Sequence, residues 1–200
     1  QPEFTQIDLE MSFPEPATIF SLIEGLIAVV FRVAGWQADA PFPRMDYREA
    51  MDRFGSDKPD TRFGLEIQDV SQQAATTGFR VFSETVSGGG VVRGLKVEGG
   101  GSWPRKPIDD LVVLAQGYGA KGLVWMRLGA EAITSSNRKA LGEDGCRILA
   151  EAMGARTGDL VLLAAGERDR TSQILGAIRM HLGRSLKLAT SSLAVPARMA

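Results

Sequence analysis

Residues 4–13 alternate between apolar and polar side chains, and this run constrains the fold more than any other in the chain. Ile7, Leu9, Met11 and Phe13 are apolar, while Gln6, Asp8, Glu10 and Ser12 are polar. Side chains in a strand point to opposite faces with period 2. One face would be buried, and the other would carry an amide and two carboxylates, spaced about 6.8 Å apart. No initiator Met and no lead-in turn precede this pattern. The expectation is a piece of a larger protein, whose incomplete sheet leaves an edge and an apolar face open. Such a piece should pair with a second copy, swap, or be poorly ordered.

The rest of the composition narrows the class. The 200 residues include 23 basic and 24 acidic side chains, a net charge of -1, which sets up no global field for nucleic acid. The hydrophobic share of 44% suits a soluble globular protein of one or two domains. One cysteine, Cys146, excludes an internal disulfide and fits the cytoplasm. No signal peptide is visible, and the apolar run 22–31, interrupted by Glu24 and Gly25, reads as too short to cross a bilayer.

Along the chain, Ile19, Leu22, Ile23, Leu26, Ile27 and Val30 recur at helical spacing and predict one buried helix face. Pro14 and Pro16 suit its start and Gly35 its end. A second helix is predicted over 46–54, with Asp46 as N-cap, Glu49 three residues on and Gly55 just past the end. The polar loop SDKPD (56–60) follows; its residue types favour a capped turn. Strands are predicted at 79–82, 91–97, 122–128 and 159–165, with helices at 107–118, around 143–154 and from 169 onward. Strands alternating with helices suggest a two-layer α+β domain. The last dozen residues are small and weakly patterned, and are expected to form a disordered or non-native tail.

Several conspicuous residues have plain explanations. His181 is the sole histidine and lacks a ligand partner, and Cys146 has no neighbouring thiol or histidine in sequence. The glycine runs 88–90 and 99–101 lack the GK[ST] ending of a phosphate loop and read as turns. Trp36, Trp103 and Trp125 read as anchors, Trp125 within a core strand. Arg168, Arg170, Arg179, Arg184 and Lys187 make the closing helix mildly basic, which reads first as a solvated face and second as a contact for a nucleic-acid backbone.

Four segments together resemble bacterial-type aspartyl-tRNA synthetase, a class II enzyme. QPEFTQIDLEMSF looks like the second half of motif 2, and FPRMDYREAMDRFGSDKPDTRFGLEI like the stretch between motif 2 and the family's insertion. The pair GGGSWPRKPIDDL and YGAKGLVWMR, with GDLVLLAAGERDRTSQILGAIRMHLGRSL, looks like the inserted GAD domain. Trp103 and Pro104 replace smaller or apolar residues of that domain's usual turn.

The resemblance implies three parts. Residues 1–62 would be a partial class II catalytic core, built on an antiparallel sheet with its helix. Residues 63–182 would be the two-layer α+β GAD insertion, and 183–200 a return segment and tail. The implied reaction joins L-aspartate to ATP as aspartyl-adenylate, then passes the aspartyl group to tRNA(Asp); the parent would be a cytoplasmic homodimer using ATP and Mg2+, with no membrane. By resemblance Gln1 would contact ATP, while Gln6, Asp8 and Glu10 would line the aminoacyl pocket, with binding and orienting roles. Ser56, Asp57, Lys58 and Asp60 would line the mouth of the site. The family's two catalytic arginines would fall outside this sequence, so the chain alone is expected to be inactive, with no catalytic residue and no metal ligand of its own. The alternative is a stand-alone GAD-type module that binds tRNA or protein without ligase activity.

Overall fold

The computed structural model describes residues 3–189. They divide into two compact units, with the border between Arg44 and Met45. In the first, residues 3–13 run without helix or strand and have no ladder partner among the described residues. The predicted strand, and with it the class II antiparallel sheet expected within 1–62, is therefore not formed here. Alternation sets which way side chains point, but strand hydrogen bonds need a second strand. Phe4, Ile7, Leu9, Met11 and Phe13 are all exposed.

The first helix, α1 (Pro16–Val33), starts and stops where its prolines and glycine indicate, and Gly35 takes φ 80°. The expected buried face is not buried: Ile19, Leu22, Ile23 and Val30 are exposed and Leu26 and Ile27 half-buried. Periodicity marks a face fit for burial, while burial itself needs a partner surface. As formed, α1 is 18 residues long with mean hydropathy 1.7, long and apolar enough to cross a membrane by length and composition. Counting residues 22–31 alone made it look too short. Core helices of soluble proteins meet the same test.

The second unit opens with α2 (Tyr47–Phe54). Asp46 accepts from the Arg48 N–H at 2.7 Å and Gly55 ends the helix at φ 69°, as predicted. Glu49 does not close a capping box; it pairs with Arg53 one turn on. Then come β1 (Gln68–Asp69), α3 (Ser71–Ala75), α4 (Arg80–Ser87) and β2 (Val91–Val97). After a 3-10 turn follow α5 (Arg105–Gly117), β3 (Val124–Leu128), β4 (Ile133–Ser135), α6 (Arg138–Ala152), β5 (Leu160–Gly166) and α7 (Arg168–Ser185).

The strand predicted at 79–82 is instead the start of α4. Phe82 is fully buried and Val86 packs behind it one turn on, whereas Val81 is exposed. That is helical spacing, which a four-residue apolar run cannot distinguish from a strand. The short β1, β4 and α3 carry too few residues to show a period.

The sheet is antiparallel throughout, in the order β1-β2-β5-β3-β4. Leu95, Trp125 and Leu162 face α5 and α7, while Val92, Met126 and Leu163 face α3, α4 and α6. The α+β class holds, and helices cover both faces, one layer more than the two read from sequence. Strand β5, buried on both sides, reads as a continuous apolar run, while β2, also largely buried, carries Arg93 and Lys96 within it.

Residues 45–62, grouped by sequence with the amino-terminal part, belong to this second unit. The end of α2 lies against α7, where Gly55 and Gly176 meet. A Cβ on Gly176 would come within 2.6 Å of the Gly55 carbonyl oxygen, and one on Gly55 would strike the Ser172 carbonyl. A chain comprising residues 45–189 should therefore unfold in one cooperative transition by circular dichroism. Binding of a hydrophobic dye at neutral pH, expected from the exposed side chains of residues 4–36, should disappear with their deletion.

Candidate functional site

Gln1 lies outside the described residues. Gln6, Asp8 and Glu10 are exposed on the unpaired amino-terminal segment, and no hydrogen bond or ion pair reaches them from the described residues. No group of three or more His, Cys, Asp or Glu side chains that could hold a metal occurs among the described residues.

The loop that follows α2 is a built structure. The Ser56 hydroxyl accepts from the Lys58 N–H at 3.0 Å, the capped turn its composition suggested. The Asp60 carboxylate takes the Arg62 guanidinium at 2.9 and 2.7 Å and its N–H at 3.1 Å. Lys58 and Asp57 are exposed. The loop thus presents its charged tips to solvent over a fixed backbone.

Arg179 holds that backbone. It is 1% exposed, although it belongs to the cationic set read from sequence as a solvated face. Its Nε donates to the Leu65 carbonyl at 3.1 Å. Its Nη2 reaches the carbonyls of Asp60, Phe63 and Gly64 at 2.8, 2.9 and 2.9 Å. The guanidinium lies between the rings of Phe63 and Phe54, at 4.1 and 4.8 Å from their centroids. Burial pushes its pKa down, and the charges of Asp60 and Glu66 oppose that. Phe63 in turn packs over Gly183, where any Cβ would strike its ring.

A second ionic group joins α2 to α7 and the sheet. Arg168 grips Asp52 through two bonds, at 3.1 and 2.7 Å. The buried Arg93 donates to the Ser172 hydroxyl at 2.6 Å and lies 3.2 Å from Asp52 and 3.4 Å from Asp69. Its Nε is buried without a hydrogen bond, so the Asp69 contact is one of charge rather than directed bonding. Arg53 pairs with Glu66 at 2.9 and 2.7 Å, besides Glu49. The Arg168 bond, ahead of the charge of Arg93, holds Asp52 below the usual carboxylate range despite burial. The Arg62 bond does the same for Asp60 and the Arg53 bond for Glu66.

Cys146 is buried and its thiol pushed up by burial, and Trp125 lies in the core, as read from sequence. The His181 ring lies 3.3 Å from the Ser185 hydroxyl of its own helix, with no other side-chain hydrogen bond among the described residues. Sequence reading did not single out Arg179 or Arg93. The available signal was an arginine flanked by Ile178 and, at i+3, Leu182, a position on the apolar stripe of α7.

The family model for the GAD domain matches residues 82–175. The chain is 45% identical to the aspartate–tRNA ligase of Clostridium perfringens over 189 residues, 94% of this chain and 32% of that protein. It is 47% identical, with the same coverage, to the aspartate–tRNA(Asp/Asn) ligase of Moorella thermoacetica. It is 43% identical to that of Anoxybacillus flavithermus, over 96% of this chain and 33% of the relative.

Asp52, Asp60 and Glu66 have depressed folded-state pKa values, so each contributes stability that is full above the unfolded value, about 4. That stability is lost as pH falls below it. The acid limb of a urea-midpoint profile should flatten in Asp52→Asn and Asp60→Asn, with most of the loss visible below about pH 4.5. Arg179→Met should destabilise the second unit by about 1–3 kcal/mol for each carbonyl left buried without a donor, and should strip hydrogen-exchange protection from residues 56–66. The GAD family model matches residues 82–175, and the chain is similar to bacterial aspartate–tRNA ligases along nearly its whole length while spanning about a third of theirs.

Proposed function

We propose that this chain is part of an aspartate–tRNA ligase that activates L-aspartate with ATP and transfers it to tRNA. The observation that carries the reading is the reach of the similarity. It extends over 94% of the chain, well beyond the GAD match at 82–175. A stand-alone GAD module would have no need of ligase-like sequence before residue 82, and is not favoured.

In this reading Gln1 binds ATP, and Gln6, Asp8 and Glu10 form one wall of the aminoacyl pocket. Asp8 belongs to the charge network around the substrate ammonium group and the cations that hold its side-chain carboxylate. The reaction develops charge at a crowded phosphorus centre, so the work is orientation and electrostatic stabilisation. The loop 56–60 would stand at the mouth, where Arg179 fixes its backbone and leaves Lys58 and Asp57 free to meet the tRNA acceptor end. The parent would be a cytoplasmic homodimer, and its division at the sequence level, core before 62 and GAD after, would describe ancestry rather than packing.

Aspartate-dependent ATP–pyrophosphate exchange tests this. The parent enzyme containing this segment should exchange, and the 200-residue chain by itself should show no activity above background. In the parent, Asp8→Asn should raise KM for aspartate by roughly 10- to 100-fold, the worth of one charged hydrogen bond. Robust exchange with asparagine or glutamate in place of aspartate would overturn the assignment.

A further inference from the structure

The second unit holds a cleft of about 990 Å3 at the carboxyl-terminal end of β5, away from the loop 56–66. Phe79 and Val81 of α4 form one wall, Val112 of α5 and Ile174 of α7 another, and Trp125 lies at the floor. That volume is the upper part of the usual range for small-molecule sites, and the apolar walls are what such sites require.

Two features show what the cleft can recognise. The first is a free backbone edge. The β3–β5 ladder ends at Val124 opposite Leu163, yet β5 continues to Gly166. On its other side Ala165 lies opposite Val92. Val92 turns its N–H to the Ser71 hydroxyl and its C=O to the Val70 N–H, both at 2.9 Å. Both its peptide groups therefore point away from β5. By the alternation of an antiparallel strand, the N–H and C=O of Ala165 point toward the β3 side, where no strand remains. Among the described residues nothing pairs with them. Ala165 lines the cleft and is half-buried. A donor beside an acceptor, set between apolar walls, complements the edge of a planar heterocycle.

The second feature is charge. Every carboxylate lining the cleft is engaged. Asp109 pairs with Arg105 at 2.7 Å, Glu84 with Arg80 at 3.3 Å, and Glu167 accepts from the N–H groups of Asp169 and Arg170 at 3.0 and 2.8 Å. Lys121 and Arg170 have no carboxylate within ion-pair distance among the described residues. The guanidinium of Arg170 crosses Gly119, which takes φ 89° and where a Cβ would strike it. Glu167 feels the charge of Arg170, but its oxygens are committed to the start of α7. The cleft therefore offers two uncommitted cations beside a free peptide edge.

We propose that this cleft binds a nucleoside phosphate, its base edge on the peptide groups of Ala165 and its phosphate between Lys121 and Arg170. The source is either a free nucleotide or one nucleotide of a single-stranded RNA. The proposal does not depend on the ligase reading, whose ATP site would involve the amino-terminal residues 1–10.

Amide NMR titration of the 200-residue chain separates the outcomes. Adenosine 5′-phosphate should give saturable shifts at residues 119–125 and 163–171. Inorganic phosphate and adenosine, each alone, should bind at least about 10-fold more weakly. The exposed pair Lys121→Gln and Arg170→Gln together should weaken the nucleotide at least about 10-fold, and Lys121→Glu alone should do so if the double variant is misfolded by circular dichroism. A single-stranded trinucleotide that binds more tightly than the mononucleotide identifies RNA as the source, and equal affinity identifies the free nucleotide. Absence of saturable shifts, equal binding of phosphate alone, or shifts confined to residues 3–10 would overturn the proposal.

Discussion

A buried guanidinium organises the part of this chain that carries its most specific sequence. Removing Arg179 from water costs several kcal/mol. Four carbonyl bonds, two aromatic faces and the nearby charges of Asp60 and Glu66 offset that cost. Hydrogen bonds to a charged group contribute about 1.5–3 kcal/mol each, so the set is favourable only while the loop keeps the shape that supplies all four acceptors. The loop has no regular secondary structure across 56–66. Its local bonds, Lys58 N–H to Ser56 and Arg62 to Asp60, are joined by the convergence of four of its carbonyls on one cation.

The same helix sustains the rest of the arrangement. From α7, Arg168 reaches Asp52 and Ser172 receives Arg93, while Gly176 and Gly183 let α2 and Phe63 approach closely. One face of α7 thus grips α2 and its loop, and another packs on the sheet through Ile174, Leu175 and Ile178. A segment ligase-like by sequence and a domain recognised as GAD share one structural unit for this reason.

Legibility followed the reach of the interactions. Helix α2 was readable with both caps, because Asp46 and Gly55 act within a few residues of the backbone they satisfy. Strand β5 was readable as an apolar run after Gly158, since burial on both faces favours that composition, and β2 from its β-branched and apolar residues between glycine-rich turns. The segment 79–82 was misread because four apolar residues fit either period, and β1 and β4 were too short to register. The site suffered most. Asp60 and Ser56 were picked out, but the side chain that fixes their loop lies more than a hundred residues away, in a run of cations that resembles a wet surface.

Sequence by itself indicated the bounds of α1 and α2, the central strands and the resemblance to bacterial aspartate–tRNA ligases, all of which depend on residue order over short spans or on whole-chain similarity. Tertiary structure alone decided that helices cover both faces of the sheet, that residues 45–62 pack with the GAD-bearing unit, that Arg179 is buried, and that Ala165 is left with an open peptide edge. Each of these is set by which distant surfaces meet, and a local pattern records only that a surface is available to be covered.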